Sequence, residues 1–437
     1  MWPYHPDLLS TPVPRYTSFP TAAEFGTAVD ETDLEAALAT AGGEVSLYLH
    51  IPFCEAICWY CGCNTGRANK RQRLASYLDA LHREIALVGS RLPASARVRR
   101  IAFGGGSPNA IQPTDFVRLM LALTQAFPLD RPEISIELDP RTLDREWTRV
   151  LGRVGVTRAS LGVQTFDAAA QAAIGRVQPT HLIERCTALL REAGVTSLNY
   201  DLMYGLPGQD RDVLKASLAL THMLGADRVA LFGYAHVPHL IPRQQKIDAA
   251  ALPGQAERFA MAAFGHDWLI AAGYEAVGFD HFARPGDPLA AAARAGKLRR
   301  NFQGFTDDRT PVLIGLGASA ISSFPGLLVQ NEKNAGRYRM LLSQDRLPVE
   351  RGLRRSDDDR RRGTVIAGLL CQGRARLDAQ LRHEVGGDLD RFVDAGLADL
   401  AGEDLVILPG GLPYARTIAA LFDPYRRQAA RRFSSAV

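Results

Sequence analysis

Six short β-rich runs alternate with amphipathic segments over the first half of the chain. The runs cover residues 45–51, 98–103, 133–139, 158–164, 197–204 and 227–235. Apolar residues recur at spacings of three and four in the segments between them, as in amphipathic helices. Repeated strand–helix units predict an α/β fold with a parallel sheet and helices outside it. Six units favour an incomplete (β/α)6-type barrel, and the periodicity leaves a flat doubly wound sheet open.

The regions on either side of these repeats show a different pattern. Residues 1–42 are rich in proline and then helical, which indicates an N-terminal arm or lid. Residues 43–345 are expected to form the catalytic domain. Residues 346–437 are mainly helical, with a short strand near residue 405, and predict a smaller C-terminal domain.

Composition excludes several classes of protein. With 437 residues, of which 46% are apolar, the chain can bury a large core. It has no uncharged apolar stretch of about 18 residues and no signal-like start, so we expect a cytoplasmic protein without a membrane span. The net charge of +4 and the absence of long runs of like charge give no case for nucleic acid.

Four of the six cysteines lie within ten residues of each other: Cys54, Cys58, Cys61 and Cys63. Such clustering in a large chain without a secretion signal indicates metal or redox chemistry. The spacing C-x3-C-x2-C of the first three lets one loop present three thiolates to three irons of a four-iron cluster. The fourth iron is then free to bind a small molecule.

Two other interpretations of the cysteines remain open. Positions 54, 58 and 61 also share one face of a helix, where buried cysteine acts as a small hydrophobe. Pro52 and Gly62 favour a wrapped loop instead. A structural zinc site would need Cys63 as the fourth ligand, although Cys63 lies too close to Cys61 for easy tetrahedral closure.

Polar residues and glycines follow the predicted strands where each one ends. The carboxyl ends of parallel strands meet at one edge of the sheet, where ligands bind. The sequence therefore predicts a ring of candidates around one mouth. They are the cysteines, Gly104, Gly105, Gly106, Ser107, Glu137, Asp139, Gln164, Asp201, Ala235 and His236.

A C-x3-C-x2-C motif after a first strand resembles the signature of the radical S-adenosylmethionine (radical SAM) superfamily. The segment GGGSP at 104–108 resembles its glycine-rich element, and Tyr60 matches its usual aromatic residue. The resemblance implies a 4Fe-4S cluster on Cys54, Cys58 and Cys61. It also implies S-adenosylmethionine on the open iron and a 5'-deoxyadenosyl radical that abstracts hydrogen.

Further motifs resemble the oxygen-independent coproporphyrinogen III oxidases over nearly the whole chain. They are YLHIPFC, CWYCGCN, PRYTSFPTA, YAHVP, HFARP and NFQGF. The resemblance implies oxidative decarboxylation of two propionates of coproporphyrinogen III to vinyl groups, which gives protoporphyrinogen IX in haem biosynthesis. It also implies an unidentified reductant and electron acceptor, Cys63 as a non-ligand, and a C-terminal domain that covers the substrate. Nothing indicates a dimer, so we expect a monomer.

Individual residues match positions at which this family binds its cofactor and substrate. Tyr48, Gly105, Glu137 and Ile321 match those for the cluster-bound S-adenosylmethionine. Those for a second S-adenosylmethionine are matched by Tyr60, Gly106, Ser107, Gln164, Arg176, Asp201 and Ala235. Arg15 and Arg284 are candidates for the substrate carboxylates. His236 and His281 could bind a propionate or be structural.

The chain also departs from the family pattern. Ser107 stands where threonine is more usual, which retains the hydroxyl, and LLCQGRARL at 369–377 replaces an Asn-Phe pairing. Two rival functions therefore stay open. One is a haem chaperone of the same superfamily, although such proteins typically lack a cysteine like Cys63. The other is a radical enzyme acting on another tetrapyrrole.

Overall fold

The computed structural model describes residues 2–68 and 71–428. Two helices precede the sheet, α1 (Pro6–Leu9) and α2 (Glu31–Ala39). Strands and helices then alternate as far as residue 233. These elements are β1 (Gly43–Ile51), β2 (Phe53–Cys54), β3 (Gly66–Arg67), α3 (Arg71–Gly89), β4 (Ala96–Gly105), α4 (Pro113–Ala126), β5 (Leu129–Leu138), α5 (Arg145–Val154), β6 (Val156–Gln164), α6 (Ala168–Ala173), α7 (Thr180–Glu192), β7 (Ser197–Tyr204), α8 (Arg211–Met223) and β8 (Arg228–Gly233). All six strands predicted from the sequence are present.

The next region adds strands to both edges of the sheet. Its elements are α9 (Gln255–Ala271), β9 (Glu275–Val277), β10 (His281–Ala283), α10 (Pro288–Arg294), β11 (Arg299–Asn301), β12 (Gly304–Thr306), β13 (Val312–Leu316), β14 (Ile321–Phe324), β15 (Leu327–Asn331), α11 (Ala335–Ser343) and β16 (Val349–Arg354). The order of strands in the main sheet is β16-β15-β14-β13-β1-β4-β5-β6-β7-β8-β10-β9.

Seven neighbouring strands of this sheet, from β13 to β8, are parallel. The strands outside them are antiparallel, and β9 and β16 at the two edges do not pair with each other. Side chains from β1, β4, β5, β6, β7, β8 and β10 line one common cavity, so the sheet curves around its interior. The predicted incomplete parallel barrel is therefore confirmed, and β13 is a seventh parallel strand that the sequence analysis did not predict.

The pleat of β1 explains how the barrel can have a polar interior. Val45, Leu49 and Ile51 are buried in the main apolar core, whereas Ser46 and Tyr48 between them line the cavity inside the barrel. Alternate residues of a strand point to opposite faces of the sheet. One face of β1 thus packs against the surrounding layer while the other remains available for ligands.

Aspartates fix the first residues of several helices that follow the strands. Asp144, Asp167 and Asp210 each accept a hydrogen bond from a backbone N–H three residues further on, at 2.7 to 2.9 Å. Such caps satisfy amide groups that have no partner inside the helix. Because these caps fix the first residue of each helix, they also fix the length of the loop between the strand and the helix. Such loops form the mouth of the barrel.

The C-terminal region forms a second apolar core. Its elements are α12 (Asp357–Gln372), β17 (Arg374–Arg376), α13 (Ala379–Asp394), β18 (Ala398–Ala401), β19 (Asp404–Ile407) and α14 (Ala415–Ala419). Leu9, Val13 and Tyr16 of the N-terminal segment belong to this second core, whereas Leu34 and Leu38 of α2 belong to the main core. The first residues of the chain therefore pack with the last described ones.

Among the described residues, no helix combines the length and the apolar character needed to cross a lipid bilayer.

Candidate functional site

A cavity of about 670 Å³ lies at the carboxyl ends of the parallel strands. It is lined by most of the residues that the sequence analysis singled out, together with Cys63. These are Arg15, Cys54, Cys58, Tyr60, Cys61, Gly105, Gly106, Glu137, Gln164, Arg176, Asp201 and Ala235. We call it the main cavity. The mouth predicted from the strand ends is thus present as one continuous space.

The cysteines lie on a wrapped loop, residues 53–67, which we call the cluster loop. The short strands β2 and β3 pair in parallel and close it, with Phe53 opposite Gly66. The amide of Ser107 donates to the Phe53 carbonyl at 2.7 Å, which joins the loop to the end of β4. Since no helix runs through residues 54–61, the interpretation of the cysteines as one face of a helix is wrong.

Each sulfur of the C-x3-C-x2-C motif accepts a hydrogen bond. The Thr65 hydroxyl donates to Cys54 Sγ at 3.3 Å, Arg176 donates to Cys58 Sγ at 3.2 Å, and the Cys63 amide donates to Cys61 Sγ at 3.4 Å. Donors aimed at sulfur stabilise thiolates and tune iron–sulfur clusters. These three residues therefore fit the thiolate ligand set that a 4Fe-4S cluster needs.

The surroundings of the cysteines change their acidity in opposite directions. Hydrogen bonds from Cys63 lower the pKa of the Cys61 thiol to about 6. Burial raises the pKa of Cys54 to about 11, although the bond from Thr65 acts against it. Metal binding deprotonates a cysteine ligand in either case. The backbone N–H of Cys63 donates to Cys61 Sγ, and the role of Cys63 as a non-ligand stays a prediction.

A cluster of charged side chains, formed by Asp139, Arg141 and Arg176, contacts the cluster loop. Arg141 Nη2 lies 2.6 Å from Asp139 Oδ2, and Arg176 Nη2 lies 3.4 Å from Asp139 Oδ1. Burial raises the pKa of Asp139, but the two guanidinium groups outweigh this effect and hold it below its usual range. Arg141 also donates to Cys58 Sγ at 3.5 Å. The sequence analysis missed Arg141, although it comes two residues after a strand-end aspartate.

The glycines after β4 let three segments meet without space for side chains. A Cβ atom on Gly104 would lie 2.8 Å from the Glu137 carboxylate. One on Gly106 would lie 2.6 Å from the Phe53 carbonyl oxygen. Gly105 has a φ of +120°, a conformation that favours glycine, and its amide donates to Glu137 Oε2 at 3.3 Å. The glycine-rich element therefore connects the cluster loop to Glu137.

Two carboxylates face the main cavity from β5 and β7. Enclosure by the protein and the nearby Asp201 raise the pKa of Glu137 to about 7. Enclosure also raises the pKa of Asp201, which accepts hydrogen bonds from Ser160 at 2.9 Å and Asn199 at 2.8 Å. Both carboxylates can accept hydrogen bonds from the hydroxyls of a bound ligand.

Other predicted residues lie near the main cavity without lining it. The Tyr48 hydroxyl lies 3.0 Å from His50 Nδ1, and Tyr48 lines the interior of the barrel. Ser107 is buried, and its hydroxyl donates to Asn109. Ile321 begins β14 and pairs with Gln330. His281 lines the barrel interior, and its Nδ1 lies 2.6 Å from Asp280 Oδ1.

Two other candidates behave differently from the expectation. His236 Nδ1 lies 2.9 Å from the Tyr234 hydroxyl, outside the lining of the main cavity. Arg284 is not brought to the mouth at all. Its Nε donates to the Ala226 carbonyl at 3.1 Å, just before β8 begins, and β8 leads from there towards the mouth. The HFARP motif therefore places Arg284 at the opposite end of β8 from the main cavity.

Comparisons with known proteins agree with this geometry. The family model described as "Radical SAM superfamily" matches residues 48–220. The oxygen-independent coproporphyrinogen III oxidase of Cereibacter sphaeroides is 42% identical over 430 residues, which cover 96% of this chain and 95% of the relative. That of Pseudomonas aeruginosa is 38% identical, covering 94% of this chain and 93% of the relative.

A solved structure extends the similarity to three dimensions. The coproporphyrinogen III oxidase of Escherichia coli, described as a radical SAM enzyme, aligns with a TM-score of 0.90 at 34% sequence identity. The alignment covers 97% of this chain and 99% of that one. The radical SAM superfamily implies a 4Fe-4S cluster and S-adenosylmethionine, and the hydrogen-bonded sulfurs of Cys54, Cys58 and Cys61 fit that cluster. This chain belongs to the family of oxygen-independent coproporphyrinogen III oxidases within the radical SAM superfamily.

Proposed function

We propose that this chain converts coproporphyrinogen III to protoporphyrinogen IX without molecular oxygen, by oxidative decarboxylation of two propionate groups. The observation that carries this proposal is the similarity to oxidases of that name over 96% of the chain. The main cavity is consistent with it, because it places three hydrogen-bonded cysteines beside space for a large ligand. Haem biosynthesis in the cytoplasm is the corresponding role.

The cofactors would be held by residues at the mouth. Cys54, Cys58 and Cys61 would ligate the 4Fe-4S cluster. When bound together with S-adenosylmethionine and given one electron by a reductant, the cluster would supply 5'-deoxyadenosyl radical chemistry, with methionine as the other product. Each vinyl group would result from removal of a hydrogen atom at the propionate β-carbon, loss of CO2 and transfer of one electron to an acceptor. The reductant and the electron acceptor are separate molecules.

Residues of this chain would bind S-adenosylmethionine and orient the cysteine ligands. Gly105 and Gly106 line the main cavity, and the Glu137 carboxylate there can accept hydrogen bonds from ribose hydroxyls. Tyr48 and Ile321 complete the proposed site for the first S-adenosylmethionine. Arg141 and Arg176 keep Cys58 oriented by donating to its sulfur.

We also propose that the main cavity holds a second S-adenosylmethionine. Six of the seven residues matched to that molecule line this cavity: Tyr60, Gly106, Gln164, Arg176, Asp201 and Ala235. The seventh, Ser107, does not line the cavity: its hydroxyl donates to Asn109 and its amide donates to the Phe53 carbonyl. The second molecule would lie on the same side of the barrel as the cluster. We propose further that residues 1–42 act as an arm and that residues 346–437 form a domain that covers the substrate, although α2 packs in the main core, β16 pairs in the main sheet and residues 429–437 lie outside the described residues.

An anaerobic assay tests the oxidase activity directly. The reconstituted protein is incubated with coproporphyrinogen III, S-adenosylmethionine and a reductant, and tetrapyrroles are resolved by mass. We expect a three-propionate intermediate and a two-propionate product. Tight binding of haem without either product would instead indicate a haem chaperone. Ring opening when haem replaces the substrate would indicate a radical enzyme acting on another tetrapyrrole.

A further inference from the structure

A second, smaller cavity of about 70 Å³ adjoins the main cavity. The two share Arg15, Phe232, Gly233 and Ala235 as wall residues, so they lie on either side of the end of β8. Three guanidinium groups line the smaller space, from Arg15 of the N-terminal arm, Arg258 of α9 and Arg416 of α14. We call it the arginine cavity.

Two guanidinium groups of the arginine cavity, those of Arg15 and Arg258, carry positive charge that no nearby carboxylate neutralises within the described ranges. Among the described residues, Asp280 is the acidic side chain in its wall, and Asp280 Oδ1 already lies 2.6 Å from His281 Nδ1. In residues 2–68 and 71–428, neither Arg15 nor Arg258 forms an ion pair with a carboxylate. Arg258 donates through Nη2 to the Tyr234 carbonyl at 2.7 Å, while its buried Nε has no hydrogen-bond partner there. An anionic ligand would balance this charge.

A fourth arginine holds Arg15 in place. Arg300 donates through Nε to the Tyr16 carbonyl and through Nη2 to the Arg15 carbonyl, each at 3.2 Å. Its guanidinium carbon lies 4.4 Å from the ring centre of Phe305 and 5.0 Å from that of Phe279. Arg300 is therefore a positioning residue, because it fixes the arm backbone from which Arg15 reaches the cavity.

Four phenylalanines add apolar surface to this wall, next to the polar side chains of Tyr204 and His266. Phe232, Phe259, Phe279 and Phe282 all line the arginine cavity, and the Arg15 guanidinium carbon lies 5.5 Å from the centre of the Phe232 ring. Apolar walls reduce the access of water and so strengthen a charge-assisted hydrogen bond. Guanidinium groups bind carboxylates in a bidentate geometry that ammonium groups cannot reproduce.

We propose that the arginine cavity binds the carboxylate of a substrate propionate that is not reacting, while the tetrapyrrole ring occupies the main cavity. This inference rests on the proposed function. A space of about 70 Å³ accommodates a carboxylate but not a macrocycle, whereas the adjoining 670 Å³ is almost ten times larger. The shared wall lets a propionate chain pass from one space to the other.

Binding of coproporphyrin III, the stable oxidised form of the substrate, tests the proposal without turnover. Porphyrin fluorescence is followed while the anaerobically reconstituted protein is titrated. Arg15→Gln and Arg258→Gln should each raise the dissociation constant by about tenfold or more, because each removes a charge-assisted hydrogen bond. The matched control is Arg299→Gln, which removes the same charge from an exposed side chain next to Arg300 and should bind like the wild type.

Steady-state kinetics provides a second measurement. A contact to a non-reacting carboxylate is present before and during the reaction, so both variants should raise KM far more than they lower kcat. Iron content should be unchanged. If Arg258→Gln does not fold, the exposed Arg15 still provides the test.

The outcomes separate this proposal from the proposed function. Two results would overturn propionate binding in the arginine cavity without contradicting the oxidase activity. One is unchanged affinity for coproporphyrin III in both arginine variants, and the other is an equal loss of affinity in Arg299→Gln. If the wild type forms no product but its binding of coproporphyrin III depends on Arg15 and Arg258, the oxidase activity is overturned. The arginine cavity is then supported as a carboxylate site.

Discussion

At the scale of single residues, the four cysteines of the cluster loop differ in what their sulfurs do. The Cys58 sulfur accepts bonds from two arginines, while Cys63 donates its amide to the sulfur of Cys61. We predict that Cys58→Ser abolishes the visible absorbance of the reconstituted cluster, because three thiolates are needed to hold it. Cys63→Ser should retain most of the absorbance and iron. Cys371→Ser, far from the loop in α12, is the control, and equal iron loss in the Cys58 and Cys63 variants would contradict the ligand assignment.

Gly106 provides a second test at this scale. A Cβ atom there would lie 2.5 Å from Thr65 Oγ1 and 2.6 Å from the Phe53 carbonyl oxygen. Because backbone is in the way, Gly106→Ala should displace the cluster loop and lower the iron bound per chain several-fold. Gly286→Ala is the matched control, since its Cβ would meet nothing within 4 Å. Full iron loading of Gly106→Ala would show that the loop tolerates the shift.

The residue scale also shows what the sequence could and could not predict. The cysteines and glycines were identifiable because their spacing alone carries the chemistry. Arg258 and Arg416 were not, because their role depends on α9 and α14 meeting the arm, which no local pattern encodes. The position of Arg284 beside the start of β8 was not predictable either, because a short motif does not show which end of a neighbouring strand it lies near.

At the scale of elements, a buried glutamate joins α3 to the added strands. Glu84 accepts hydrogen bonds from the Gly317 amide and Asn331 Nδ2 at 2.6 Å and from the Tyr338 hydroxyl at 2.5 Å. Burial nevertheless raises its pKa to about 7. The interaction of Glu84 with its partners thus connects α3 to the end of β13, to β15 and to α11.

This raised pKa predicts how stability depends on pH. Between about pH 4.5 and 7 the folded state keeps a proton on Glu84 that the unfolded state loses, so the free energy of unfolding should fall as pH rises through this range. The contribution is about 3 kcal/mol, at 1.36 kcal/mol per pKa unit. Urea unfolding of the wild type and of Glu84→Gln at several pH values measures it. The variant should be less stable overall and show a flatter pH dependence, and parallel curves would contradict the assignment.

The strands β13, β14 and β15 show which elements the sequence could not predict. β1, β4 and β6 were predictable because buried and less buried residues alternate along them before an amphipathic helix. In β13 and β15 all five residues are buried, and β14 has only four residues. Without alternation, such short apolar runs cannot be told from other buried segments.

At the scale of the whole molecule, the N-terminal arm meets the last described part of the chain. The Tyr16 hydroxyl donates to Asp423 Oδ2 at 3.0 Å in a buried position, and Leu9 and Val13 pack in the same core as α12 and α13. The arm was predicted from its prolines, but its partner was not, because more than 400 residues separate the two groups. Arg15 reaches the arginine cavity from this anchored segment.

The anchor can be tested without touching Arg15. Tyr16→Phe removes the hydroxyl and leaves the buried Asp423 carboxylate without that donor, so we expect a loss of about 1–3 kcal/mol in the free energy of unfolding. Tyr4→Phe is the matched control, because the Tyr4 hydroxyl bonds Gln255 in an exposed position and should contribute under about 0.5 kcal/mol. Since the arm holds Arg15 and not the cysteines, Tyr16→Phe should also raise KM for coproporphyrinogen III while iron content stays at the wild-type level. A fall in iron with no change in KM would mean that the arm supports the cluster loop and not the substrate.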